Sequence, residues 1–147
     1  RFIVGDSNMS DWNVLYKELV DQHDYIKPNP PATQEQILNV EKLLGKKLPV
    51  DLKELLLEMN GDSWLIFSTE QIIETNLSAR KFDCYMPLDC FLFFGGSGCG
   101  DYYGYPITRQ DGVRDDNVFM WEHEYDNRTW KASNLEDTIK KYYNDEI

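Results

Sequence analysis

The chain has 147 residues, of which 41% are hydrophobic and 14% aromatic. That content is too high for an intrinsically disordered chain, and the length suits one domain. Fifteen basic and 26 acidic residues give a formal net charge of −11, which argues against nucleic acid or an anionic membrane as a direct partner. The charge is compatible with a basic protein partner and, equally, with a role in solubility alone.

The cysteine and histidine pattern favours a reducing compartment and no structural metal. The three cysteines, Cys84, Cys90 and Cys99, form no C-x-x-C pair, and an odd number does not suggest a disulfide framework. We therefore expect a cytoplasmic protein in which Cys84 and Cys90 are buried thiols. The only histidines, His23 and His123, are far apart in the sequence, so a zinc site is not expected.

The N-terminal region, residues 1–32, is predicted to be a helix followed by a proline-rich linker. Ser10 is the expected N-cap, and apolar residues recur at helical spacing from Trp12 to Val20. The linker 27–31 contains three prolines, which break a helix and favour an extended chain. We expect this helix to pack somewhat independently of a core formed by residues 33–147.

Elements predicted in the core begin with helices and continue with strands. Thr33 and Gln36 form a capping box for a helix that ends at Gly45, and Pro49 opens a helix that ends at 60–61. The remaining predictions, in chain order, are a strand at 64–67, a helix with the capping box Ser68 and Gln71, strands at 91–94 and 102–107 around a glycine loop, a turn at 110–112, strands at 118–125 and 128–131, and a helix with the capping box Ser133 and Glu136. This order predicts a single α+β domain with a mixed, largely antiparallel sheet flanked by helices.

Four segments in the same order resemble the SUKH superfamily, which includes the Smi/Knr cell-wall regulators of fungi and many bacterial immunity proteins. The segments are Glu41 to Leu44 with Gly45, Leu48-Pro49, Asp51, Lys53, Leu56 and Asn60-Gly61; Phe93-Phe94-Gly95 through Gly100-Asp101; Val118 with Trp121, Glu122, His123 and Glu124; and Ser133 with Leu135. The resemblance covers about residues 33 to 143, and Leu52 stands where the family often has an aromatic residue. It implies an α+β sheet flanked by helices, no cofactor and no catalysis. It also implies that a bacterial member neutralises a cognate secreted toxin, often a nuclease or a deaminase.

Acidic residues are concentrated between Asp111 and Asp126. If 118–125 is a strand, Phe119, Trp121, His123 and Tyr125 share one face, whereas Val118, Met120, Glu122, Glu124 and Asp126 share the other. The resulting row of three carboxylates could bind a partner, or it could be a solvated strand end that prevents edge pairing. With Asp101 as a fourth oxygen donor, the same row could instead hold a divalent metal for hydrolysis.

Aromatic residues supply the other candidate contacts. Tyr102, Tyr103, Tyr105, Trp121 and Trp130 lie on predicted strands, and those that stay exposed are favoured interface anchors. The glycine segment 95–100 lacks the Gly-Lys-Ser/Thr ending of a phosphate loop and is expected to be a bent connection.

Together these features favour a non-catalytic protein-binding domain, an immunity protein that occludes a basic, nuclease-type toxin. The alternatives are a regulatory interaction module of the Smi/Knr type and a metal-dependent hydrolase. No cofactor or metal is expected. The predicted partner-binding residues are Asp101, Tyr103, Asp115, Asp116, Glu122, Glu124, Asp126 and Trp130.

Overall fold

The structure, a computed structural model, describes residues 11–108 and 112–147. Ser10 and the turn residues 110–111 lie outside the described residues. The helices are α1 (Asp11–Gln22), α2 (Gln34–Leu44), α3 (Val50–Glu58), α4 (Thr69–Ala79) and α5 (Leu135–Tyr143). The strands are β1 (Phe91–Gly96), β2 (Tyr102–Thr108), β3 (Gly112–Val113), β4 (Val118–Glu122) and β5 (Asn127–Ala132).

The strands form one antiparallel sheet, which confirms the α+β prediction. Their order is β1-β2-β4-β5, and β3 pairs with the end of β2. One face, which we call the inner face, packs on the helices through the main hydrophobic core. The opposite, outer face carries a second, aromatic cluster. Because both faces are covered near β1, that strand reads as an apolar run in the sequence, whereas β5 at the opposite edge is polar and mostly exposed.

Local capping signals predict the starts of α2 and α4 correctly and the start of α5 one residue too early. The capping boxes at Thr33 and Ser68 are both formed. At α5, the box predicted at Ser133 and Glu136 is wrong. Asn134 is the N-cap and accepts a hydrogen bond from the Asp137 amide, and Asp137 in turn accepts one from the Ser133 amide. Both pairs have the three-residue spacing of a cap, so spacing alone could not choose between them.

Helix α1 packs on the main core, contrary to the expectation of independent packing. It buries Trp12, Tyr16 and Leu19 against that core. The Tyr16 hydroxyl also donates a 2.7 Å hydrogen bond to the fully buried carboxylate of Asp62, and the Tyr143 hydroxyl of α5 donates to the same oxygen at 2.6 Å. Burial together with the nearby Asp62 charge raises the pKa of both tyrosines. Asp62 therefore ties the two ends of the chain to its centre.

The predicted strand at 64–67 does not form, apart from a single bridge between Ile66 and Gly95. The other oxygen of Asp62 accepts hydrogen bonds from the backbone amides of Trp64, Leu65 and Ile66 at 2.8–3.0 Å. These amides are therefore taken up by a side chain and cannot enter a strand ladder. Among the described residues, no helix has the length and apolar content needed to cross a bilayer.

Candidate protein-binding surface

The row of three carboxylates predicted on one strand does not exist, because β4 ends at Glu122. Residues 123–126 form a turn, in which Asp126 adopts the left-handed conformation with φ 57°. The residue that precedes β2 anchors the turn, since Asp101 Oδ1 accepts the His123 amide at 3.1 Å and lies 2.7 Å from the His123 ring Nδ1. The alternation of side chains along β4 therefore does not continue through residues 123–126.

Asp126 is half-buried and bound to groups of the protein itself, so the structure gives it a structural role, and its role in partner binding stays a prediction. Its Oδ1 accepts the Trp121 indole N–H at 2.7 Å, and its Oδ2 accepts the Met86 amide at 3.0 Å. Burial raises the pKa of this carboxyl, but the hydrogen bonds from Trp121, Met86 and Arg128 outweigh it and leave the pKa below its ordinary value.

Asp126 and Arg128 together form what we call the clamp. It holds the segment that joins α4 to β1, residues 80–90, which we call the 80–90 loop. The Arg128 guanidinium donates to Asp126 Oδ1 at 3.0 Å, to the Met86 carbonyl at 2.8 Å and to the Pro87 carbonyl at 2.9 Å. The same group lies 5.6 Å from the centre of the Phe91 ring. Its planar set of donors matches these fixed acceptors. The Asp126–Arg128 pair therefore holds the 80–90 loop against the sheet.

The outer face of the sheet is a layer of aromatic rings, as the predicted side-chain alternation of β4 requires for Phe119 and Trp121. These two residues join Phe91, Phe93 and Tyr102 in the outer cluster. Tyr85 of the 80–90 loop packs edge-on against Trp121 with ring centres 4.9 Å apart. The loop thus covers part of this face and leaves its edges open.

The remaining predicted acidic residues are not brought together. Asp115 and Asp116 are exposed before the start of β4, whereas Glu122 and Glu124 lie at its other end. Asp116 pairs with Arg114 at 2.7 Å, and the hydrogen bonds from that guanidinium lower the pKa of its carboxyl. Glu122 is half-buried and accepts a hydrogen bond from Asn127. Asp101 is taken up by His123, as described above.

The two predicted aromatic anchors have opposite outcomes. Tyr103 is only 2% exposed, which excludes it as a surface contact, and burial raises its pKa to about 12. It lies on β2 opposite Met120, whose side chain packs on the main core, so the Tyr103 side chain also lies on the inner face of the sheet. Trp130 is 48% exposed. Its indole donates to Asn117 Oδ1 at 3.0 Å, and the Lys141 ammonium lies 5.2 Å from its ring centre.

Three exposed apolar side chains near the Asp126–Arg128 pair were not predicted as binding residues: Phe82, Met86 and Tyr125, which we call the apolar patch. Their exposed fractions are 40%, 62% and 75%. Met86 is bonded through its amide to Asp126, the neighbour of Tyr125, and the Phe82 ring contacts both Tyr85 and Trp121. For Phe82 and Met86, the signal in the sequence is that large apolar residues occur in a segment without helical or strand periodicity, whereas Tyr125 lies in the predicted strand 118–125.

The expectation of buried thiols is wrong for Cys84, which is exposed, as is Cys99. Cys90 is half-buried, and that burial raises the pKa of its thiol despite the opposing effect of Arg128. Cys84 belongs to the outward side of the 80–90 loop, which the periodicity of neighbouring elements could not reveal.

A metal centre at the predicted acidic row is not supported by the geometry, since its members are separated as described. Within residues 11–108 and 112–147, no group of three or more histidine, cysteine, aspartate or glutamate side chains is placed to hold a metal ion.

Comparison with known proteins agrees with the resemblance found in the sequence. A family model described as SUKH_6, SMI1-KNR4 cell-wall, matches residues 34–138. The match spans more than two thirds of the chain, from the start of α2 into α5. None of the curated proteins compared with the chain matches it.

Proposed function

Because the chain belongs to the SUKH (SMI1-KNR4) family, we propose that it is an immunity protein that neutralises a basic, nuclease-type protein toxin by direct binding. Membership in this family supports a protein-interaction or immunity-type domain. The proposed action is steric and electrostatic, and it involves no cofactor, metal or catalytic step. Its proposed location is the cytoplasm of the protected cell, which is compatible with the free and exposed thiols of Cys84 and Cys99.

The observation that carries the proposal is the net charge of −11, combined with carboxylates that have no internal partner. Asp83, Asp115 and Glu124 are exposed, and none of them forms an ion pair with another described residue. A protein that binds nucleic acid must present basic groups to phosphate. An inhibitor with surplus negative charge is attracted to that surface over a distance of about one Debye length, ~8 Å at physiological salt, and associates faster.

Of the predicted binding residues, all except Tyr103 reach the surface in whole or in part, although Asp101, Asp116, Glu122 and Asp126 are engaged in hydrogen bonds within the protein. We propose that Glu124 is among those that contact the toxin, because its carboxylate is exposed and unpaired beside the apolar patch. Asp115 and Asp116 lie at the far end of β4, so they contribute to long-range attraction more than to the same contact.

The test is co-expression with a basic nuclease toxin domain, taken from a secreted toxin gene next to the gene for this chain where the genome carries one. We expect the full chain to restore growth of cells that express the toxin domain, to bind the purified toxin domain with one-to-one stoichiometry in calorimetry, and to bind it more slowly as salt is raised. A chain that neither binds the purified domain nor restores growth would refute the proposal.

A second candidate is a regulatory interaction module, and the cell-wall description of the matching family favours it. This candidate predicts that deleting the gene alters growth in the presence of a wall-disrupting compound when no toxin is present. Unchanged growth under that condition, together with protection against the toxin, would exclude the regulatory alternative.

A further inference from the structure

The apolar patch is built from two segments about 40 residues apart in the sequence. Phe82 and Met86 come from the 80–90 loop, and Tyr125 comes from the turn after β4. Met86 and Tyr125 expose 62% and 75% of their surfaces, so neither is needed to fill the outer cluster. The Met86–Asp126 hydrogen bond brings the loop beside the turn that carries Tyr125, and exposed large apolar groups on adjoining segments are candidates for an interaction site.

The patch is held in place before any partner arrives. The Arg128 guanidinium bonds the carbonyls of Met86 and Pro87, and Asp126 accepts the Met86 amide. Phe82 and Tyr85 rest on the Trp121 ring. A surface whose backbone is already ordered loses less conformational entropy on binding, which favours affinity.

The charges beside the patch identify its occupant as a basic surface. Asp83 follows Phe82 and Glu124 precedes Tyr125, and both carboxylates are exposed without an ion pair among the described residues. Of the cations near the patch, Arg128 is already engaged by Asp126, and the exposed Lys81, which precedes Phe82, is outnumbered by the two carboxylates. A partner that supplies arginine or lysine would neutralise these carboxylates, and its cation could stack on the exposed Tyr125 ring.

A second copy of the chain fits the patch less well. In a two-fold symmetric dimer, the same patch faces itself. Asp83 and Glu124 of both copies would then lie in one interface, where their like charges repel, and each copy carries a net charge of −11. Charge complementarity therefore favours a different, basic protein.

We infer that the apolar patch of Phe82, Met86 and Tyr125, flanked by Asp83 and Glu124, is the surface on which the basic toxin docks. This inference rests on the proposed function and specifies where the toxin binds. The aromatic and thioether groups supply the buried contact, and the two carboxylates orient the basic surface of the toxin around it.

The experiment measures association rate and affinity for the purified toxin domain that the chain neutralises in the co-expression test. The variants are Tyr125→Ala, Met86→Ala and Glu124→Lys. Matched controls are Val50→Ala, which truncates a side chain that is 64% exposed on α3, and Asp21→Lys, which reverses an exposed charge on α1. Both controls lie on helices that pack on the main core, away from the outer face of the sheet.

We expect Tyr125→Ala and Met86→Ala each to weaken binding by about tenfold or more, as for central interface residues. Glu124→Lys should lower the association rate several-fold and reduce its dependence on salt. The two controls should stay within about twofold of the wild type. Thermal midpoints should remain those of the wild type in every variant, because each altered side chain is exposed.

Three results would overturn the inference. If the wild type binds the toxin and the patch variants bind it equally well, the docking surface is elsewhere, and toxin neutralisation itself stands. If sedimentation shows a wild-type dimer that Tyr125→Ala dissociates, the patch is occupied by a second copy. If the wild type does not bind the toxin at all, the proposed function and this inference fail together.

Discussion

Replacing Asp126 with asparagine is expected to destabilise the protein, whereas reversing the charge of its neighbour Glu124 is not. Asp126 receives hydrogen bonds from the Trp121 indole, the Met86 amide and the Arg128 guanidinium. Asparagine tolerates the left-handed conformation found at this position, so the substitution leaves the backbone unstrained and acts on the side-chain contacts alone.

The magnitude follows from the contacts. The amide of asparagine can present only one acceptor oxygen, so either the Met86 amide or the Trp121–Arg128 pair loses its acceptor, and the charge facing Arg128 disappears. A hydrogen bond that involves a charged group contributes about 1.5–3 kcal/mol. Since the Asp126 side chain retains 18% of its exposure, water offsets part of the loss, and we expect a decrease of about 2 kcal/mol in the free energy of unfolding.

Urea unfolding at pH 7 measures this difference. With a slope of about 2 kcal/mol per molar urea, Asp126→Asn should unfold at a midpoint about 1 M lower than the wild type. Glu124→Lys should shift the free energy of unfolding by no more than about 0.5 kcal/mol. Equal midpoints for the two variants would show that the clamp does not stabilise the fold.

Three further substitutions and conditions test other parts of the structure. Asp62→Ala leaves two buried hydroxyls and three backbone amides without their acceptor. We therefore expect the free energy of unfolding, measured in urea, to fall by about 4 kcal/mol or more. A decrease of less than about 1 kcal/mol would contradict the role of Asp62 as a central acceptor. Gly61→Ala should be more destabilising than Gly98→Ala by about 1–2 kcal/mol. Both positions have positive φ, but at Gly61 a Cβ would lie 2.8 Å from the Ser68 backbone nitrogen, whereas at Gly98 it would meet no atom within 4 Å. Equal thermal midpoints would be inconsistent with that contact. The pKa of Asp126 is lower in the folded state than in the unfolded chain, so its ionised carboxylate stabilises the fold fully above the unfolded pKa of about 3.9. This contribution is lost as pH falls through the folded pKa, so below pH ~4 the urea midpoint should fall more steeply with pH for the wild type than for Asp126→Asn. Parallel curves for the two proteins would exclude this contribution.

Local patterns predicted the elements whose partners lie close in sequence. The capping boxes at Thr33 and Ser68 require only a side chain three residues away, and both were located correctly. The sheet was predicted from apolar runs separated by turn signals. The two wrong elements, the strand at 64–67 and the C-terminal half of the strand at 118–125, have strand-like sequences. In both, a carboxylate that accepts bonds from distant groups, Asp62 or Asp126, stabilises a different backbone path.

The candidate site was predicted less well than the fold. Sequence analysis identified Glu124 and Trp130, which are exposed, but it also selected Tyr103, which is buried, and Asp126, which is engaged in the clamp. The apolar patch was missed because exposure of Phe82 and Met86 depends on how the 80–90 loop crosses the sheet. No periodic pattern within the loop records that path.

By itself, the sequence determined the fold class, the family and the excess of negative charge, since these depend on composition and on contacts within a few residues. Only the tertiary structure decided which carboxylates face solvent. Asp62 is sequestered by Tyr16 and Tyr143, and Asp126 by Met86. A carboxylate is neutralised or left free by groups distant in sequence, and these come within hydrogen-bonding distance only when the chain has folded.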